Sequence, residues 1–229
     1  MKKLYTAIGR ITFKRQAKGM RCPQVILGNR EYILDMQEML LWSVLNWRIL
    51  SMDEVNTLYK AKEKETGIMS HRTVEDCLGR LVQRGLVTVG EAETGADALY
   101  NLLSELCAVP ISENIILRTI SFIRMTIFQN IPFSTAKKLY LKDKRDADEK
   151  KVMHIIKQAT LTTPEIIKCI RENTIDFVSD EQLMDLLYHD EYTTSDNIAY
   201  SVQNLPESRA VVTSIANLYL RRQIIFERI

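Results

Sequence analysis

Residues Ser70–Val89 read SHRTVEDCLGRLVQRGLVTV, and the fold turns on how this stretch is read. Val74, Leu78, Leu81 and Val82 recur at three- and four-residue intervals, which predicts one apolar helix face over Ser70 to Arg84. Gly85 supplies a helix stop, since glycine takes the left-handed backbone of a C-terminus at no steric cost. Leu86-Val87-Thr88-Val89 then has the β-branched composition of a strand. Cys77 falls on the inner face, where a small buried hydrophobe is expected.

Moving outward, two shorter helices precede this one. Ser51 with Glu54 three residues on makes a capping-box pattern, followed by the inner stripe Val55, Leu58 and Tyr59 and a stop at Gly67. Asp35 and Glu38 repeat the pattern, opening a first helix with Met36, Met39, Leu40, Val44 and Trp47 at helical spacing. After the strand, Gly90 to Gly95 reads as a turn, and Ala98 to Leu102 as the returning strand of a wing. Upstream, Gly28-Asn29 between two apolar runs predicts a hairpin, and Leu4 to Phe13 a further strand.

The fold class expected is mainly α with small β-hairpins: a winged helix-turn-helix plus a helical C-terminal region. The divisions are a basic β-hairpin arm over 1–34, the winged helix-turn-helix over 35–108, a helical connection over 109–178, and a candidate second winged helix over 179–229. Within the connection, Ser112 opens a helix bearing Ile115 to Ile127, and Lys142 to Lys151 reads as an exposed charged link. Val152 to Ala159 and Pro164 to Glu172 follow as helices, the latter capped by Thr163. The candidate repeat lays Ser51–Val55 on Thr194–Ile198. It also lays the opening stretch on ESRAVVTSIANLYLRRQIIF, matching Arg72 with Arg209, Leu78 with Ile215 and Arg84 with Arg221.

The helix, the Arg-Gly stop and the Leu-Val-Thr-Val strand resemble the recognition helix and first wing strand of winged-helix regulators of the broad MarR, PadR and GntR type. The likeness covers about seventy residues and names a superfamily, not a single family. It implies a double-stranded DNA ligand with the third helix in the major groove. Ser70, His71, Arg72 and Thr73 then stand at the end that reaches base edges, with Arg80 and Arg84 along the backbone. In the candidate second domain, Arg209, Arg221 and Arg222 take the same part. Short operators read as two half-sites imply a homodimer.

Charge distribution bears on this. Residues 1–34 hold eight Lys or Arg against the single acid Glu31, so Lys14, Arg15 and Lys18 are expected to grip phosphate. Residues 35–108 are acidic, and Glu91, Glu93 and Asp97 would place carboxylates on the wing, where phosphate is repelled. The alternative reading is a winged-helix protein-interaction or assembly module without direct DNA readout.

The chain of 229 residues is 46 % apolar and 26 % charged, ordinary for a globular protein. No apolar run reaches the roughly 18–20 residues of a membrane span, and Met1-Lys2-Lys3 opens no signal peptide, so a cytoplasmic protein with no membrane partner is expected. The four cysteines form no close pair, and His71, His154 and His189 have no ligand spacing, so neither disulfides nor a metal are expected. Gly-rich phosphate loops and nucleophile elbows do not occur in the sequence, so no catalytic residue and no cofactor are expected. Nothing in the sequence names an effector.

Overall fold

The computed structural model describes residues 1–15, 21–68, 71–111, 145–177, 179–189 and 192–228. The expected helix over Ile115 to Ile127 lies outside them. What is described is helical with three small antiparallel sheets.

The chain opens with four strands: β1 (Lys2–Ala7), β2 (Arg10–Arg15), β3 (Arg21–Leu27) and β4 (Arg30–Ile33). β2, β3 and β4 form a meander in that order, and Leu27 faces Arg30 across the Gly28-Asn29 turn. Gly28 has φ +55°, the positive value this tight hairpin requires. Helices α1 (Met36–Leu45), α2 (Met52–Thr66) and α3 (Val74–Gln83) follow. Asp35 and Glu38 form a reciprocal capping box on α1, and Ser51 with Glu54 forms another on α2. α3 begins later than its apolar spacing suggested, because Thr73 turns its hydroxyl onto the backbone N–H of Asp76 and caps it there. Leu78 and Leu81 drive its inner face into a core with Leu41, Trp42, Leu45, Val55 and Tyr59, while Val74 is only half-buried.

The wing departs from expectation. β5 (Val87–Ala92) pairs antiparallel with β1, Lys2 facing Ala92 and Ala7 facing Val87, and Leu50 bridges to Tyr5 on the far edge of β1. The N-terminal strand therefore fills the place assigned to Ala98 to Leu102. Those residues belong instead to helix α4 (Gly95–Leu103), capped by the Thr94 hydroxyl on the Asp97 N–H. Ala and Leu, good helix formers, with no β-branched residue among them favour that outcome locally. Gly90 lets α4 lie directly on β5: a Cβ there would stand 2.2 Å from the Ala98 carbonyl oxygen.

The same order of parts then recurs. β6 (Cys107–Pro110) pairs antiparallel with β7 (Ile224–Glu227) at the chain's end, and Cys107 bridges to Thr162. Between them run α5 (Ala147–Gln158), α6 (Thr163–Arg171), α7 (Asp180–Tyr188), α8 (Ile198–Gln203) and α9 (Pro206–Leu220). Asp146 and Glu149 cap α5 with the box seen on α1, and Thr162 and Glu165 cap α6 with the box seen on α2. So Lys142 to Lys151 is not simply an exposed link: Glu149 within it is buried.

The turn after α3 and the turn after α9 match bond for bond. Arg84, Gly85 and Leu86 donate to the carbonyls of Arg80, Val82 and Leu81; Arg221, Arg222 and Gln223 donate to those of Asn217, Tyr219 and Leu218. Gly85 and Arg222 both have positive φ, +71° and +58°. The match of Arg84 with Arg221 thus keeps its register. The match of Ser51 with Thr194 does not, since the residue that caps as Ser51 does is Thr162. The repeated plan begins near β6, well before residue 179, and an insertion carrying α7 and α8 separates α6 from α9.

Two hydrophobic cores reflect the two units. The second gathers Val152, Ile156, Ile166, Ile215, Leu218 and Phe226, and draws in Leu102, Leu103 and Ile8 from the first unit's chain. Tyr219 pins the seam: its hydroxyl receives the Trp47 backbone N–H at 2.9 Å and the Thr6 hydroxyl at 2.9 Å, and donates to the Ala7 carbonyl at 3.2 Å. Burial pushes that phenol up to about 12, so it stays protonated as a donor.

Candidate interaction surface

Arg72, Arg80 and Arg84, on α3 and at its two ends, converge on the start of α1. Glu38 reaches the base of α3 as the third residue of α1, a position its capping box fixes, and its side chain is 2 % exposed. Arg84 donates from Nη1 to Glu38 Oε2 at 2.7 Å, from Nη2 to the Ile33 carbonyl at 2.6 Å, and lies over the Tyr32 ring. Arg80 donates from Nε to Glu38 Oε1 at 3.1 Å. A carboxylate held this far from water is tolerated only when paired, so these arginines are bound to the fold.

Arg72 is engaged one step outward. It forms an ion pair with Asp35 and donates from Nε to Gln37 Oε1 at 3.4 Å. Burial raises the Asp35 carboxyl, but hydrogen bonds from Arg72 and from the backbone N–H groups of Glu38 and Gln37 outweigh it, and the group sits below its ordinary value. Thr73 is spent on the α3 cap, and His71 is exposed beside it. Ser70 and Lys18 lie outside the described residues, and Arg15 is placed only as the last residue of β2. Lys14, also on β2, pairs with Glu31 of β4 at 2.7 Å.

In the second unit Arg221 does what Arg84 does. It donates through both terminal nitrogens to Glu149, whose side chain is 0 % exposed. Arg222 lies over the Trp47 ring, 5.3 Å from its centroid. Arg209, by contrast, is exposed and makes no ion pair among the described residues.

Of the expected DNA-contacting set, the structure brings Arg72, Arg80 and Arg84 together, but around carboxylates. Their partners Asp35 and Glu38 were visible in the sequence only as a capping box. What α3 leaves exposed is Glu75, Asp76, Gly79, Arg80 and Gln83, an acidic first turn where a recognition helix would meet phosphate. Beside it, Ile33 and Met36 are exposed large apolar side chains, 57 % and 53 % accessible, next to the paired arginines. Cys77 and Cys169 are buried, and burial pushes their thiols up to about 11 and about 12, the opposite of a reactive thiolate. No cluster of three metal-ligating side chains occurs among the described residues, and no helix there is long and apolar enough to cross a membrane.

No protein-family model, curated protein or solved structure matches the chain.

Proposed function

We propose that this chain is a double winged-helix protein that works as an interaction module, docking a partner protein through the face where β4, the start of α1 and α3 meet. The carrying observation is the commitment of Arg72, Arg80 and Arg84 to Asp35 and Glu38. Two carboxylates hold three guanidinium groups within the fold, and withdrawing both Arg80 and Arg84 from Glu38 to serve phosphate would leave a buried carboxylate uncompensated. Exposed Ile33 and Met36 framed by paired arginines have the composition of a protein interface: an apolar centre with guanidinium groups around it. The winged-helix description rests on the succession α1, α2, α3, β5 with β1 as the returning strand.

A second reading keeps the DNA ligand. It is favoured by the basic N-terminal strands, where Arg10 and Arg30 are exposed and make no ion pair among the described residues. In it, a homodimeric regulator grips phosphate through the β2–β3 hairpin, Lys14, Arg15 and Lys18 included, and α3 reads no base.

Fluorescence anisotropy with labelled duplex DNA separates the two. The interaction module binds random and genomic duplexes no tighter than about 10⁻⁴–10⁻⁶ M at physiological salt, the range of non-specific contact. Submicromolar binding that Arg72→Ala weakens at one base position would overturn it. Submicromolar binding weakened equally on all sequences by Lys14→Ala would establish the second reading.

A further inference from the structure

The insertion that distinguishes the second unit contributes to a cleft. α8 and the turn into α9 face the first turn of α4 across a cavity of about 520 Å³, within the roughly 300–1,000 Å³ typical of small-molecule sites. Leu99, Leu205 and Val212 give it an apolar side.

Gln203, Asn204, Ser208 and Arg209 all line the cleft, and none of their side chains makes a hydrogen bond or ion pair among the described residues. Ser208 is the telling member. It is 4 % exposed, lines the cavity, and carries a hydroxyl with no protein partner. Its hydroxyl therefore opens onto the cleft, where it is free to bond a bound molecule.

The character of the missing partner follows from the donors. Arg209 brings a full positive charge, and the Ser208 hydroxyl and the two amides bring further donors. The first turns of α4, at Gly95 and Ala96, and of α9, at Ser208 and Arg209, both line the same cavity. The N–H groups of Gly95 and Ala96 at the start of α4 add partial positive charge there, whereas at α9 Pro206 has no N–H and Ser208 donates its own to the Leu205 carbonyl at 3.0 Å. One acid, Asp97, also lines the cleft; its carboxylate accepts from the Thr94 hydroxyl at 2.6 Å. The matching arginine of the first unit, Arg72, is closed off by Asp35, whereas Arg209 has been left open.

We infer that this cleft binds a small organic anion, its oxyanion held by Arg209 and Ser208 and its apolar body lying on Leu99, Leu205 and Val212. This site stands apart from the partner-docking face and does not depend on that reading.

The test uses the full chain and two-dimensional amide NMR, with benzoate and phenyl phosphate as probes that distinguish a carboxylate from a phosphate. Benzyl alcohol and sodium chloride of matched ionic strength serve as controls. Saturable shifts at Gly95, Ala96, Ser208 and Arg209 with at least one anion, and none with the controls, are expected. Arg209→Gln should weaken that binding about tenfold or more, as loss of a charged hydrogen bond does. Asp97→Asn should tighten it. Unchanged amide positions elsewhere show that each variant is folded. Absence of saturable shifts with both anions, or equal affinity in Arg209→Gln, would overturn the site.

Discussion

The two units close in the same way and face outward differently. In each, the residue that ends the last helix, Arg84 or Arg221, reaches a buried glutamate on the first turn of the first helix, Glu38 or Glu149. In each, that glutamate also completes a capping box. The arginine near the start of the last helix has no such constancy: Arg72 is tied to Asp35, while Arg209 stands open on a cleft partly lined by inserted elements. A charge that maintains the fold is repeated, and a charge on the surface is free to change. An arginine on a helix that resembles a recognition helix is therefore not evidence of DNA contact until its partners are known.

The two buried pairs differ in how many arginines support the glutamate. Glu149 depends on Arg221, whereas Glu38 has Arg80 as well as Arg84. Arg221→Ala should cost about 3–5 kcal/mol, the loss that follows when one member of a buried pair is removed. Arg84→Ala should cost less, about 1–3 kcal/mol, because Arg80 remains. Urea unfolding of both variants checks the order, and an equal loss at the two sites would show that the second arginine gives Glu38 no support.

A smaller effect separates the two helix-ending turns. Gly85 and Arg222 both have positive φ, and a Cβ at Gly85 would meet nothing nearer than 4.0 Å. Gly85→Ala should thus cost only backbone strain, about 1 kcal/mol. Arg222→Gly should come out near zero, relief of the same strain being offset by the lost contact with Trp47, worth about 0.5–1 kcal/mol at an exposed site. Thermal unfolding of the two variants checks this; a large loss in Arg222→Gly would mean that the Trp47 contact, not the turn, sets that geometry.

The smallest effect is a pH dependence confined to the first unit. Asp35 has its carboxyl held below the ordinary value, so its pair with Arg72 stabilises above pH 3.8 and that contribution fades as pH falls through the lower folded value. Asp35→Asn keeps the helix cap and removes this term. The Tm difference between wild type and variant should be constant near neutrality and shrink below pH 3.8. A difference that persists into strong acid would assign Asp35 a role other than its charge.

Local chemistry was legible in the sequence; long-range partners were not. Asp35 with Glu38, Ser51 with Glu54, and the Gly28-Asn29 turn each act over a few residues, and each appears in the structure as read. Glu149 was hidden inside a charged run, although its capping box with Asp146 has the same spacing as the one at Asp35. Thr163, followed by Pro164, drew the α6 cap one residue too far along. The wing failed for a different reason: the pairing of β1 with β5 joins residues distant in the chain, and no local pattern announces it. The site suffered likewise, since Arg84 and Glu38 meet only after α1 and α3 pack. The open cleft at Arg209 rests on an insertion whose place in the repeat is visible only when α6 and α9 are seen beside α2 and α3.

If Arg72, Arg80 and Arg84 serve the fold rather than DNA, as proposed, their own side-chain resonances report it most directly. Arginine Nε–Hε signals of Arg72 and Arg80 should appear hydrogen-bonded in the free protein, since both donate through Nε. Addition of duplex DNA at low salt should leave them in place. Movement of both signals on DNA addition, with the Glu38 carboxylate shift following, would show the pairs opening to phosphate and contradict the account.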